Sequence, residues 1–166
     1  MTEQIKPPAS RKRKWIRALN ILLIIYLVVG VALFFFQNRL LFHPEAIAKE
    51  KAFDFSIPYK EVNIALNNSN HMNVVQFLTA GSICKGVVLY FHGNRKNIEW
   101  YAKYAPLFTG KGFEVWMMDY PGFGKSTGEL TEDELYAFAE QLYTMAKAKY
   151  KPEQIIIYGK SLGTGI

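Results

Sequence analysis

An uninterrupted apolar run stands near the start of the chain. Over residues 19–36 the only polar residue is Asn20, and this length is close to the ~20 apolar residues that a membrane-spanning helix needs. The run is apolar on all sides, so it lacks the one-sided period of a helix that packs against a globular core. The pattern predicts a transmembrane anchor over residues 19–36.

A cleaved signal peptide is the alternative interpretation of this run. Gly30-Val31-Ala32 offers the small-x-small pattern of a cleavage site. Cleavage there would leave Leu33-Phe34-Phe35-Phe36 as the mature start, and the run is longer than the ~7 to 15 residues of a signal h-region. We therefore favour the anchor over the signal peptide.

Positive charge precedes the apolar run directly. Residues 1–20 hold six Lys or Arg against one Glu, and five of the six form the cluster Arg11, Lys12, Arg13, Lys14 and Arg17. Such clusters stay on the cytoplasmic side of a membrane, and Trp15 is placed to lie at the interface. We expect residues 1–18 in the cytoplasm, a single-pass anchor in the cell membrane, and the rest of the chain on the opposite face.

Two segments downstream alternate apolar and polar residues in the period of a strand. Residues 37–60 mix charged residues with two prolines and are predicted to be an irregular linker. Residues 61–66 and 72–78 alternate, and the turn formers Asn67-Asn68-Ser69-Asn70 lie between them. This arrangement predicts an antiparallel hairpin.

Three apolar runs follow the predicted hairpin, of which the first is continuous. They are residues 86–91, 113–118 and 155–158, each short enough for a strand that is buried on both faces. Helical periodicity separates them, over residues 98–109 and from Thr131 onwards. Strands that alternate with helices form parallel pairs, so the predicted class is α/β.

Composition and charge exclude several classes of function. Half of the 166 residues are apolar, so the chain can bury a core. The net charge of +6 is concentrated at the N-terminus, because residues 21–166 hold fourteen basic against thirteen acidic residues. A nearly neutral domain lacks the basic surface that binds nucleic acid. Cys84 is the single cysteine, which allows neither an internal disulfide nor a zinc cluster.

The pattern Gly159-Lys160-Ser161-Leu162-Gly163 stands directly after the third apolar run. In a G-x-S-x-G turn the serine occupies a sharp strand-to-helix bend, and larger residues in place of the glycines would collide there. Ser161 is therefore the candidate nucleophile, and the backbone N–H of Leu162 can stabilise an oxyanion at the helix N-terminus. An ordinary glycine-rich turn without chemistry is the alternative.

A second motif, Phe91-His92-Gly93-Asn94, ends the first apolar run. A His-Gly pair at this place commonly supplies the second oxyanion donor. The backbone N–H of Asn94 is our candidate, with Gly93 allowing close approach, while the His92 side chain is expected to be structural. Residues 119–126 form a tight loop in which we expect Asp119 to bond loop amides.

Three motifs in this order and spacing resemble the α/β-hydrolase superfamily: LYFHGN at residues 89–94, DYPGFGKSTG at 119–128 and YGKSLG at 158–163. Together with the anchor and the segment QNRLLFHP at 37–44, they resemble its membrane-anchored serine hydrolases, related to lysophospholipases and serine aminopeptidases. The resemblance implies the N-terminal part of an α/β-hydrolase fold, a mostly parallel sheet flanked by helices, over residues 61–166. It implies Ser161 as nucleophile and the amides of Leu162 and Asn94 as the oxyanion hole.

The catalytic triad of this superfamily runs Ser, then Asp or Glu, then His along the chain. Only residues 162–166 follow Ser161, while His43, His71 and His92 all precede it. We therefore expect a chain truncated within the domain, without its Asp and His and inactive by itself. A non-catalytic membrane-anchored fragment or pseudoenzyme is the alternative from another class.

The expected reaction is hydrolysis of a small-molecule acyl ester or thioester, lipid-like substrates included, through an acyl-enzyme on Ser161. Peptide or amide hydrolysis is the second alternative, and no metal or organic cofactor is implied. The sequences Gly124-Lys125-Ser126 and Gly159-Lys160-Ser161 suggest a nucleotide-binding loop, which needs a glycine five residues before its second glycine. Asp119 and Gln154 occupy those places, so no nucleotide is expected.

Overall fold

The computed structural model describes residues 11–166, so the first ten residues of the predicted cytoplasmic segment lie outside the described residues. The chain divides into two compact units, one ending at Leu40 and the other comprising Leu41–Ile166. The predicted anchor falls in the first unit. Every strand and every candidate site residue falls in the second.

The first unit is dominated by one long helix, α1 (Arg11–Leu41, 31 residues). It is long and apolar enough to cross a membrane, and none of its residues is buried. At 1.5 Å per residue its length is about 46 Å, more than the ~30 Å of a hydrocarbon core. The predicted run of residues 19–36 lies in its middle, with the basic cluster in its first turns and Arg39 in its last.

The second unit contains a five-stranded mixed sheet in the order β2-β3-β6-β4-β7. Its strands are β2 (Tyr59–Ala65), β3 (His71–Phe77), β4 (Gly86–Phe91), β6 (Phe113–Met118) and β7 (Ile155–Gly159). The hairpin of β2 and β3 is antiparallel, as is the pair of β3 and β6, whereas β6, β4 and β7 are parallel. The predicted α/β class is confirmed, and the three apolar runs are the three parallel strands.

β4, which lies between β6 and β7, is buried throughout because helices cover both faces of the sheet. On one face Leu135, Phe138, Leu142 and Ala146 of α4 (Glu132–Lys147) pack in a cluster with Val87, Leu89 and Phe91. On the other face Val88 and Tyr90 pack with Ile98, Tyr101 and Ala105. Alternate residues of one strand thus contribute to two cores, which is why its sequence is apolar without alternation.

The predicted helix over residues 98–109 is interrupted. It forms α2 (Ile98–Tyr101), a 3₁₀ turn (Ala102–Tyr104) and α3 (Pro106–Thr109). Pro106 has no N–H to donate to the Ala102 carbonyl, four residues earlier. That carbonyl oxygen accepts instead from the Ala105 N–H at 2.9 Å. The predicted start of α4 is confirmed, because the Thr131 hydroxyl accepts from the Glu134 N–H at 3.3 Å.

The predicted linker over residues 37–60 includes ordered structure at its start. It contains the end of α1 and a short strand, β1 (His43–Pro44), which pairs in parallel with β5 (Arg95–Lys96). β5 follows β4 by a few residues, so β1 pairs with a segment close to the carboxyl end of β4.

Candidate active site

Ser161 lies at a sharp turn directly after β7. Its φ angle is +53°, and within residues 11–166 only one other non-glycine residue, Lys96 at +68°, has a left-handed backbone. Such a conformation costs of order 1 to 3 kcal/mol and persists where the surrounding structure fixes it. The backbone at Ser161 thus has the strained geometry that the G-x-S-x-G pattern predicts.

Close backbone contacts explain both glycines of the turn. A Cβ atom on Gly159 would overlap the carbonyl oxygen of Gly163, and a Cβ on Gly163 would overlap the carbonyl oxygen of Phe91. The turn is therefore folded tightly on itself and against the end of β4. Side chains at either place would force the two segments apart.

The turn brings Ser161 next to the second motif. A Cβ on Gly93 would lie 3.6 Å from the Ser161 Cβ and 2.7 Å from the Tyr101 hydroxyl. Gly93 therefore allows the close approach expected of it, and Asn94 follows it directly. The segments that carry the three predicted groups, Ser161, Leu162 and Asn94, meet at the carboxyl ends of β4 and β7.

The segment after Ser161 differs from the predicted α-helix. Residues Ser161–Thr164 form a 3₁₀ turn, in which the Gly163 N–H donates to the Lys160 oxygen at 3.1 Å. The Leu162 N–H lies in the first turn, where backbone N–H groups have no partner within the helix. It thus keeps the place at a helical N-terminus that an oxyanion donor needs.

His92 is structural, as predicted. Its ring is completely buried and lies 4.1 Å from the ring of Tyr120 and 5.1 Å from that of Tyr101, between centroids. Its Nδ1 lies 2.7 Å from the Gly93 oxygen, and its Nε2 lies 3.5 Å from Asp119 Oδ1. A ring enclosed in this way is not available to take a proton from a nucleophile in a cleft.

The other two histidines lie on different strands. His43 is an exposed residue of β1, and its backbone N–H donates to the Asn94 oxygen at 2.9 Å. His71 begins β3, where its Nδ1 lies 3.2 Å from the Thr127 hydroxyl. Among the described residues no group of three or more His, Cys, Asp or Glu side chains is placed to hold a metal ion.

Asp119 has a different partner from the one expected. Its Oδ1 accepts from the backbone N–H of Ile98 at 2.8 Å, at the start of α2, so the prediction that it bonds amides of its own loop is wrong. The loop is held instead by Ser126, whose hydroxyl donates to the Asp119 carbonyl at 2.6 Å. The completely buried Asp119 carboxylate therefore ties its loop to α2 and to the His92 ring.

Replacing Asp119 with alanine is expected to lower the free energy of unfolding by about 3 kcal/mol, because it leaves the buried Ile98 N–H without its partner. Urea titration followed by tryptophan fluorescence measures the change. Asp54→Ala is the control, since Asp54 is exposed and its loss should change stability by less than about 0.5 kcal/mol. Equal midpoints for the two variants would contradict the structural role of Asp119.

Lys160 adds a positive charge beside Ser161, which the sequence did not single out. Its Nζ donates to the Tyr104 hydroxyl at 2.8 Å and lies 4.1 Å from the centre of that ring. This hydrogen bond raises the pKa of Lys160 and lowers the pKa of Tyr104. The clustering of Trp100, Tyr101 and Tyr104 on one helical face was the signal that could have located this partner.

Comparison with known families identifies the same region. A family model described as the alpha/beta hydrolase fold matches residues 86–166. The chain is 33% identical to human alpha/beta hydrolase domain-containing protein 17B over 91 residues, which are 53% of this chain and 32% of that protein. It is 34% identical to human protein ABHD12B over 82 residues, 48% of this chain and 23% of that protein. The chain thus matches about a quarter to a third of the length of these relatives.

Solved structures show the same fold. The α/β-hydrolase of Vibrio vulnificus superposes with a TM-score of 0.54 at 22% identity, over 63% of this chain and 36% of that one. An esterase of Pyrococcus furiosus gives 0.54 at 22% identity, over 74% and 48%. The thioesterase domain of the curacin biosynthetic pathway gives 0.52 at 16% identity, over 64% and 38%.

Proposed function

Since the chain belongs to the α/β-hydrolase superfamily, we propose that this hydrolase uses Ser161 as its nucleophile and cleaves acyl esters or thioesters. One observation carries the proposal: Ser161 has a left-handed backbone in a turn closed by two glycines, at the carboxyl end of a parallel strand. A turn of this kind exposes a hydroxyl above the sheet while the rest of the loop stays packed.

In the proposed reaction the Ser161 oxygen attacks the acyl carbon, and the alcohol or thiol leaves with a proton. The negative charge that develops on the carbonyl oxygen is stabilised by the N–H groups of Leu162 and Asn94. Water then cleaves the acyl-enzyme and restores the serine. The general base is not the enclosed His92 ring, and the inactivity expected of the 166-residue chain stays a prediction.

The proposal includes attachment to a membrane through α1. The helix supports it by its length, its exposed apolar surface and the basic residues in its first turns. From the charge bias we propose that the N-terminus lies in the cytoplasm and the domain on the opposite face. A hydrolase held at a membrane meets acyl groups carried by lipids or by other membrane components, so such esters and thioesters are the substrates we propose.

The test uses a chain extended through the Asp and His of the triad, in detergent micelles, and compares three substrate types: a p-nitrophenyl acyl ester, an acyl thioester and a peptide amide. We expect the ester and the thioester to be hydrolysed, with the amide at least a hundredfold slower, and turnover to be lost in Ser161→Ala. Preferential cleavage of the amide would favour the peptidase alternative. Turnover that survives in Ser161→Ala would contradict the nucleophile, and no turnover of any substrate would favour a non-catalytic protein.

A further inference from the structure

We propose that residues 41–47, the last residue of α1 and the segment after it, which we call the strap, hold the oxyanion loop (residues 93–97) in its reactive position. The inference rests on the proposed function, because it concerns the stabilisation of charge at Ser161. It assigns a positioning role in catalysis to a segment that the sequence predicted to be an irregular linker.

The first observation is that Asn94 is held from two sides. Its side-chain amide donates to the carbonyl oxygen of Leu41, the first residue of the second unit. Its backbone oxygen accepts from the His43 N–H at 2.9 Å. Neither bond uses the Asn94 N–H, so the group proposed to bind the oxyanion stays available while the rest of the residue is fixed.

The second observation is that the strap also fixes the residues after Asn94. β1 and β5 pair in parallel, and the Asn97 side chain, which is almost completely buried, donates to the Glu45 oxygen at 2.9 Å. Lys96, the last residue of β5 and the residue before Asn97, has a left-handed φ of +68°. This conformation costs of order 1 to 3 kcal/mol and needs surrounding contacts to persist, and the strap supplies those contacts.

The strap is in turn held by a different loop. The Gly124 N–H donates to the Glu45 oxygen at 3.0 Å, and the Ile47 N–H donates to the Gly124 oxygen at 2.7 Å. Gly124 itself is pressed against the Asp119 carboxylate, because a Cβ there would overlap it. The strap is therefore bonded both to the oxyanion loop and to the loop that packs on the buried Asp119. We infer that this second attachment limits the movement of the oxyanion loop.

The strap is proposed to control only the position of the Asn94 N–H, so its loss should change the rate of the chemical step and not the binding of the substrate or probe. An oxyanion donor acts in the transition state and not in the bound ground state, which means that loosening it lowers the rate of the chemical step. Losing one donor completely costs roughly 10² to 10³ in rate. A displaced donor is expected to cost less, about ten- to a hundredfold, with unchanged binding.

The experiment measures fluorophosphonate labelling of Ser161 in a chain extended through the triad Asp and His, in detergent, separated into the maximal labelling rate and the half-saturating probe concentration. Asn94→Ala removes the bond to Leu41 and keeps the backbone N–H, and His43→Pro removes the other bond. Asn68→Ala, in the exposed turn of the hairpin, is the control. We expect the maximal rate to fall at least tenfold in the two strap variants, with half-saturation unchanged and the control equal to the unsubstituted protein.

Circular dichroism and thermal melting of each variant separate positioning from folding. If His43→Pro unfolds, the Asn94→Ala variant, at a half-buried position, decides the matter. Strap variants that label at the unsubstituted rate would overturn the inference while leaving the nucleophile intact. An unsubstituted protein that does not label at Ser161 would instead overturn the proposed function, and this inference would fall with it.

Discussion

In a chain extended through the triad Asp and His, substitution of Ser161 by alanine is expected to abolish covalent labelling by a fluorophosphonate. The probe phosphonylates a serine only where the hydroxyl is activated and the developing charge on the phosphoryl oxygen is stabilised. Ser161, with its strained backbone at φ +53°, is the serine that we propose to be activated in this way. Loss of a nucleophilic serine costs roughly a million-fold in turnover where it has been measured, so the remaining signal should fall below detection.

Peptide mass spectrometry of the labelled protein identifies the modified residue. Ser56→Ala serves as the matched control, because Ser56 is an exposed serine in a different part of the domain and its loss should leave labelling unchanged. A probe attached to any serine other than Ser161 would contradict the assignment. Labelling of Ser161→Ala at the unsubstituted rate would do so equally.

β7, at the edge of the sheet, is apolar although it is largely exposed, but β4 and β6 could be predicted from the sequence because they are buried on both faces. Such strands need apolar residues at successive positions, and the runs at Gly86–Phe91 and Phe113–Met118 coincide with β4 and β6 residue for residue. The strained turn at Ser161 could be predicted for a related reason. Its glycines are dictated by local backbone contacts, so their spacing is visible in the sequence.

The strap and the partner of Asp119 could not be predicted, because they depend on contacts between distant residues. β1 has only two residues, too few for any periodicity, and its partner β5 lies about fifty residues further on. Asp119 binds the amide of Ile98, 21 residues away, and nothing in its own loop indicates that choice. The sequence contains Pro106 within the predicted helix, but only the structure shows that a 3₁₀ turn precedes it and that a further helix, α3, begins there.

Replacing Gly163 with alanine is expected to destabilise the domain by about 3 kcal/mol and to abolish labelling of Ser161. The φ angle of Gly163 is not left-handed, so the effect comes from space and not from conformational freedom. The new Cβ would overlap the Phe91 carbonyl and lie 2.8 Å from the Phe91 Cβ. Overpacking of this kind costs ~1 to 3 kcal/mol when neighbours can move, and here the neighbour is the backbone of the buried strand β4.

Relief of that overlap would have to separate the Ser161 turn from the end of β4, where Gly93 and Asn94 follow. We therefore expect the displacement caused by Gly163→Ala to lower both the urea midpoint of unfolding and the rate of labelling. Gly81→Ala is the control, because a Cβ at Gly81 meets no atom within 4 Å and both measurements should stay at their unsubstituted values. A Gly163→Ala protein that keeps its midpoint and labels normally would show that the turn does not lie against β4 as described.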